Sequence, residues 1–320
     1  MKNNTRRFSP GFVNHCYQNT VNVGLLFYSV SGYLVMFTII CVAARRYGVR
    51  ILKLCLMPDH IHGSYVAAVL KDLAAFIGYY TSEYAKLFNE ICGRRGQLFN
   101  RPYGSAPKYG DKKVKSNLIY VDNNPVERHL AHKAEDYRWN FLAYAKSAHP
   151  FSEPIRRRTA SSSLKKAIDM VEILHKEGRY LTFRVLHDWF SKLDKKESNQ
   201  LVDYIITKYN AIDYEGSICY FGSYENELIA LSSTTGSEYD IKEPFVGKND
   251  DCYAKLSSIL MKTGRYNNIY EVLGLDDDEK NDLFHFLYGK TGATRDQLRK
   301  FLHLKDLPPQ SYLSDYQHFN

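Results

Sequence analysis

Ile51-Leu52-Lys53-Leu54-Cys55-Leu56-Met57-Pro58-Asp59-His60-Ile61-His62 is the stretch whose reading decides the fold. The aliphatic run over residues 49–56 has the length and composition of a buried β-strand, and it delivers the two histidines at its end. On an extended backbone, residues i and i+2 project from one face. His60 and His62 can therefore offer ring nitrogens to one metal ion while Ile61 turns into the core. Two protein ligands leave most of the metal shell open. Phosphoryl chemistry needs that opening, because the metal must also hold phosphate oxygens and polarise the phosphorus. Alone, a His-x-His pair more often fills core and surface roles than a metal site, so its surroundings must support it.

Before this strand, residues 12–23 read as an extended segment. Residues 25–44 then run twenty positions without a charge, the length of a membrane span. Ser29, Ser31, Gly32 and Thr38 dilute that run, and Tyr33, Phe37, Ile40 and Ala44 share one helical face. Arg45-Arg46-Tyr47-Gly48 leads straight into the strand, which favours a buried helix over a span. After the histidines, apolar residues at 73, 76, 77, 80, 84, 87, 88 and 91 mark a long amphipathic helix over 70–92, ended by Gly93. Residues 93–113 are rich in Gly, Pro, Arg, Lys and Tyr and read as loop, with a short strand over 97–103. A helix over 111–124 follows, with Val114, Leu118 and Val121 inward and Pro125 near its end.

That helix carries Tyr120, and Asn124 lies at i+4, one turn along the same face. An amide oxygen there can complete a metal shell, so nucleophile and third ligand would share one rigid element. A phenol with a pKa of ~10 is a poor nucleophile at neutral pH and needs help from a metal or a base. The sequence names no base.

The strand 51–62, followed downstream by Tyr120-Val121-Asp122-Asn123-Asn124-Pro125-Val126, resembles the HUH-type single-tyrosine transposases of the IS200-like superfamily, and most of all their REP-associated branch. Asn14-His15-Cys16-Tyr17-Gln18-Asn19-Thr20, Gly96-Gln97-Leu98-Phe99-Asn100-Arg101 and Tyr137-Arg138-Trp139-Asn140 with Tyr144 are further echoes, so the resemblance covers about residues 10–148. It implies an α+β fold whose ferredoxin-like antiparallel sheet bears the histidines, a helix that bears the tyrosine, and a Mg²⁺ or Mn²⁺ ion. Tyr120 would cut single-stranded DNA, leaving a 5′-phosphotyrosine and a free 3′-hydroxyl. Another strand's 3′-hydroxyl could then reverse the attack. The implied substrate is single-stranded or hairpin DNA, handled by a monomer or homodimer in a prokaryotic cytoplasm, close to the nucleoid. In dimers of this kind the tyrosine helix can serve the partner's site. This chain departs from the pattern at Asp59, which adds negative charge near the metal or caps a turn, at Gly63-Ser64, and at the polar Val121-Asp122-Asn123.

Charge divides the chain in two. The formal net charge is +8, but residues 1–160 hold 23 Lys and Arg against 10 Asp and Glu, or +13, leaving −5 for the remainder. A polyanionic partner for the first half is expected, through counterion release. Six cysteines without CxxC spacing read as reduced thiols. The division of the chain is 1–150 for the nuclease domain, 151–163 for a basic Ser/Pro-rich linker, and 164–320 for a mainly α-helical accessory domain. Helical periodicity covers 164–193, 197–209, 253–263 and 267–275, while 217–230 reads as a short extended insert. Residues 276–304 form a helix-turn-helix pattern whose second helix opens with Thr294 and Gln297 in capping-box spacing.

For DNA contact, Arg94, Arg95, Arg101, Lys108, Lys112, Lys113 and Lys115 supply cations, with Phe99, Tyr103 and Tyr109 interleaved to stack on unpaired bases. In the terminal pair, Arg295, Gln297, Arg299 and Lys300 are placed on the exposed side of the second helix, with Leu298, Phe301 and Leu302 packed inward. Two rival functions stand beside strand transfer. One is a domesticated DNA-binding protein that keeps the core without cutting. The other is a metal-dependent hydrolase of the barrel type, which would need further His and Asp ligands after later strands.

Overall fold

The computed structural model describes residues 7–100, 102–234 and 252–308. Its first half runs β1 (Val13–Asn19), α1 (Val30–Tyr47), β2 (Arg50–Met57), β3 (His60–Val66), α2 (Leu70–Ile91), β4 (Gly104–Lys108) and α3 (Asp111–Glu127). The strands form one antiparallel sheet in the order β2-β3-β1-β4. A βαββαβ path in this order is the ferredoxin-like arrangement. The apolar sides of α1 and α2 cover one face with Cys16, Ile61 and Tyr65, while α3 covers the other. Helix α1 is long and apolar enough to cross a membrane, yet Gly32 and everything from Leu34 to Ala44 on it is buried inside the protein.

The strand expected to end in the histidines is two strands. Met57 pairs with His60 across the two-residue loop Pro58-Asp59, so the histidines open β3. A bulge between Ile51 and Lys53 lets two consecutive residues of β2 reach α3. Leu52 clusters there with Val114 and Leu118, and Lys53 bonds Asp122. Gly63 keeps the ladder intact, pairing with both Cys16 and Leu54. A Cβ at that position would lie 2.0 Å from the Tyr65 ring, so glycine here makes room for a buried tyrosine. The fourth strand lies at Gly104–Lys108 instead of 97–103, where Phe99 makes only an isolated bridge to Thr20. As an edge strand, β4 can hold Pro107.

The remainder is helical: α4 (Ser162–Lys176), α5 (Phe183–Phe190), α6 (Lys195–Tyr209), α7 (Tyr214–Ile218), α8 (Tyr224–Ser233), α9 (Cys252–Lys262), α10 (Glu271–Gly274), α11 (Asp277–Lys290) and α12 (Arg295–Leu302). The expected single helix over 164–193 breaks at Gly178, whose φ of +66° closes α4, and the chain re-enters helix at Thr182, which caps α5 through its side chain. The extended insert expected over 217–230 is instead helical, because Asp213 and Ser223 cap α7 and α8. The helical reading of 267–275 shrinks to α10.

The two halves share one apolar core. Helices α5 and α6 lie on α1, with the Leu181 amide donating to Thr38 Oγ1 at 3.1 Å. Along the free side of β2, Ile212 bridges Ile51, the Asp213 amide donates to the Ile51 carbonyl at 2.8 Å, and the Tyr137 hydroxyl donates to the Leu56 carbonyl at 2.9 Å. Helix α8 packs on α3, where Asn123 Nδ2 donates to the Leu231 carbonyl.

Candidate active site

On the α3 side of the sheet, β3 presents His60 and His62, β1 presents His15, and α3 lays Tyr120 over them. The His60 and His62 ring centroids are 4.7 Å apart and nearly perpendicular. The Tyr120 ring stands 5.4 Å from His62 and 5.7 Å from His15. All four rings are buried. Asn124, one helical turn beyond Tyr120, is also buried, and its Oδ1 has no hydrogen-bond partner among the described residues. The predicted histidines and tyrosine thus lie beside one another between β3 and α3, with the asparagine one turn along the tyrosine's helix.

Each histidine is oriented by a neighbour. His60 Nδ1 donates to Asp59 Oδ1 at 2.5 Å, which directs Nε2, without a hydrogen-bond partner among the described residues, away from the turn. Asp59 is therefore more than a turn cap. Burial would push its carboxyl up, but His60, then Lys300 and Arg128, hold it well below the usual carboxylate range. His62 Nδ1 meets His15 Nε2 at 3.4 Å, His15 Nδ1 meets Asn117 Nδ2 at 2.8 Å, and Ser64 Oγ donates to Asn117 Oδ1 at 2.8 Å. Burial, with Lys108 adding to it, pushes His15 down to about 3. Burial also holds His62 well below its ordinary value, helped by His60, His15 and Arg128. Both rings are neutral at physiological pH, the state in which an imidazole can donate a lone pair to a metal.

Sequence reasoning missed His15, Asn117 and Arg128 as parts of this site. Asn117 lies three residues before Tyr120, and Arg128 continues the four-residue spacing of 120 and 124. That spacing was a usable signal for Arg128. For His15 the pointer was its place in the resembling stretch 14–20, which gave it no role, since its approach to His62 depends on the pairing of β1 with β3 that sets Tyr17 opposite His62.

The predicted DNA-contacting residues divide. Arg95, Lys112, Lys113 and Lys115 are exposed, the three lysines on the first turns of α3. Lys108 is half-buried at the end of β4, and Arg94 points to His303 and the Gln97 carbonyl. Arg101 lies outside the described residues. Phe99 and Tyr103 are core residues and are not placed to stack on bases; Tyr109 is open, in an edge-to-face pair with the equally exposed Phe12. The second helix of the terminal pair does not present the expected face either. Gln297 is buried in a capping box with Thr294, Arg295 lies over Phe284 and donates to the Pro308 carbonyl, Arg299 donates to the Asn22 carbonyl, and Lys300 reaches Asp59. Helix α12 is docked on the first half.

Residues 33–124 match the family described as "Transposase IS200 like". No curated protein sequence matches the chain. A solved structure described as "Structure of the REP associates tyrosine transposase bound to a REP hairpin" is similar at 15% identity, covering 43% of this chain and 81% of that one, with a TM-score of 0.38. The matched segment runs from the buried helix through both histidines and Tyr120 to Asn124, and it is this part of the chain that is similar to the IS200-like transposases.

Proposed function

We propose that the protein is a metal-dependent single-strand DNA nickase and strand transferase in which Tyr120 is the nucleophile. The observation that carries this reading is the buried Tyr120 ring edge-on to His62, which itself adjoins His60, with buried Asn124 one turn along the same helix as Tyr120. The donor set fits a divalent cation. His60 Nε2 and Asn124 Oδ1 are buried polar atoms without hydrogen-bond partners among the described residues, and such orphans are costly unless something occupies them. No three His, Cys, Asp or Glu side chains among the described residues are placed to hold one metal ion together, so the ligands proposed here are two imidazoles and an amide. Imidazoles do not select Mg²⁺, and its preference for oxygen would be met by Asn124, phosphate and water. When bound, the ion supplies Lewis-acid polarisation of the scissile phosphate.

The chain's own residues do the rest. Tyr120 Oη attacks the phosphorus, a new O–P bond forms to the 5′ side, and the bond to the 3′ oxygen breaks. The phenol's proton passes to solvent, and the departing 3′ oxygen takes one up. Because the phosphodiester energy stays in the phosphotyrosine, a second 3′-hydroxyl can attack it and restore a DNA linkage without ATP. Lys112, Lys113 and Lys115 track the backbone of the incoming strand, and the Phe12–Tyr109 pair offers an apolar face for an unpaired base.

The test is incubation of wild type and Tyr120→Phe with labelled hairpin DNA and Mg²⁺ or Mn²⁺. Wild type should give a denaturant-resistant adduct and Tyr120→Phe none. An adduct of equal yield in both, or none in either, overturns the mechanism; DNA binding without an adduct supports a non-cutting binding protein.

A further inference from the structure

The helical half was read as an accessory domain whose last helix contacts DNA, and that helix instead reaches the site itself. Lys300 Nζ lies 3.3 Å from Asp59 Oδ2, and the other oxygen of that carboxylate accepts from His60 Nδ1 at 2.5 Å. Side-chain exposure is 16% for Lys300, 5% for Asp59 and 5% for His60, so the chain of contacts is largely shielded from water. We propose that Lys300 is a positioning residue for His60, acting through Asp59, and that α12 is thereby part of the catalytic centre.

The docking of α12 is specific. The Leu25 amide donates to the Lys300 carbonyl at 3.2 Å, the Tyr28 hydroxyl to the Phe301 carbonyl at 2.6 Å, Arg299 Nη1 to the Asn22 carbonyl at 2.9 Å, and His303 Nε2 to the Leu25 carbonyl at 2.7 Å. A Cβ on Gly24 would meet the His303 ring at 2.6 Å, so the backbone here is shaped to the helix end. The same segment is tied to the histidine turn, because the Leu26 and Phe27 amides both donate to the Pro58 carbonyl, at 2.7 and 3.1 Å. Segment 22–28 thus holds α12 on one side and the loop before His60 on the other. Arg299 and Lys300 could reach a DNA groove only by giving up their bonds to the Asn22 carbonyl and Asp59.

A carboxylate that accepts from one ring nitrogen of a ligating histidine fixes the tautomer and the ring plane, and losing such a partner typically weakens metal binding by about 10–100-fold. Asp59 plays that part for His60. A carboxylate buried with a single partner can swing about its last torsion, and an ammonium on the far oxygen removes that freedom. Lys300 does this from a helix distant in sequence, which makes the metal side of the site depend on the C-terminal helix pair.

The inference rests on reading His60 as a metal ligand, and the experiment separates the two. Mn²⁺ affinity is measured without DNA, by the fraction of free ion in electron paramagnetic resonance, for wild type, Lys300→Met, Lys300→Arg, Asp59→Asn and the double variant Asp59→Asn/Lys300→Met. Thermal melts are recorded for each. Asp59→Asn should weaken Mn²⁺ by about 10-fold or more, and Lys300→Met by roughly 3–10-fold. Lys300→Arg should restore affinity, and Lys300→Met should add nothing in the Asp59→Asn background. Affinity in Lys300→Met within about twofold of wild type, or an equal loss in both backgrounds, overturns the positioning role and reduces Lys300 to a docking contact. Wild type that binds no Mn²⁺ overturns the reading of His60, and this inference with it.

Discussion

Replacing Lys53 by Met should destabilise the protein by about 3–5 kcal/mol near pH 8, because it removes one partner from a buried charge cluster. Lys53 Nζ lies 2.6 Å from Asp122 Oδ2 and 2.8 Å from Glu227 Oε1, with side-chain exposures of 3%, 1% and 1%. Two carboxylates thus face one ammonium, and without it both stand in a low-dielectric space where neither can be hydrated. The loss would take up a large part of a typical unfolding free energy of about 5–15 kcal/mol. Its pH dependence has a definite sign. Burial pushes the Asp122 carboxyl up, Lys53 pulls it back and Glu227 pushes again, leaving it at about 7 in the native protein. An acid whose folded value is raised holds a proton that the unfolded chain has released. The stability it contributes is full below the unfolded value near ~4 and declines as pH rises toward the folded value. Removing Lys53 raises the folded value further, so the deficit should be largest near pH ~8 and shrink toward pH ~5. Urea titrations of wild type and Lys53→Met, followed by tryptophan fluorescence across that range, measure it. Adding Glu227→Gln to Lys53→Met should recover about 1–2 kcal/mol by removing one of the two charges. A deficit under about 1 kcal/mol at high pH, or one that does not change with pH, would refute the reasoning.

Two further predictions concern other parts of the chain. Asp203→Ala should cost about 3–5 kcal/mol in urea unfolding, since the buried carboxylate accepts from the Tyr144 hydroxyl, the Phe151 amide and Ser152 Oγ and pairs with Arg138; a loss within ~1 kcal/mol would show that these donors find water instead. Changing Lys112, Lys113 and Lys115 together to Ala should weaken single-stranded DNA binding and lower the slope of log affinity against log salt by about 2, at roughly 0.7 per phosphate contact; an unchanged slope would remove these lysines from the strand's path.

Helix α2 was readable because it buries one apolar stripe that prints a 3.6-residue period, whereas α1, buried at every position from Leu34 to Ala44, was readable as an uncharged run of helical length. The histidine pair and the tyrosine were readable as a combination, through the distance between them along the chain. The hairpin between β2 and β3 was not. Apolar residues continue to Met57 and resume at Ile61, and Pro58-Asp59 is a two-residue interruption without the glycine that usually marks such a turn. Residues 104–108, Gly-Ser-Ala-Pro-Lys, have little strand preference of their own and become β4 only because β1 offers a ladder to pair with. Lys300 was read as a DNA contact from its helix alone. Its partner Asp59 is 241 residues away, and no local pattern encodes such a meeting. The same holds for Lys53 with Glu227, a charge cluster assembled from a strand, the tyrosine helix and α8.

The covering of β2 by Ile212 and Asp213 bears on how copies of the chain can associate. A sheet can be lengthened only at a strand whose backbone groups are open, and here the β2 border is occupied at Ile51 by Ile212 and Asp213 and at Leu56 by the Tyr137 hydroxyl. The opposite border is also partly occupied, since the Arg7 amide donates to the Ser105 carbonyl of β4 at 3.2 Å and Ser105 Oγ donates to the Arg7 carbonyl. A chain cut after residue 150 would lose the cover at Ile51 and bare the face of α1 that α5 and α6 occupy, leaving a strand border and an apolar helix face open to adhesion between copies.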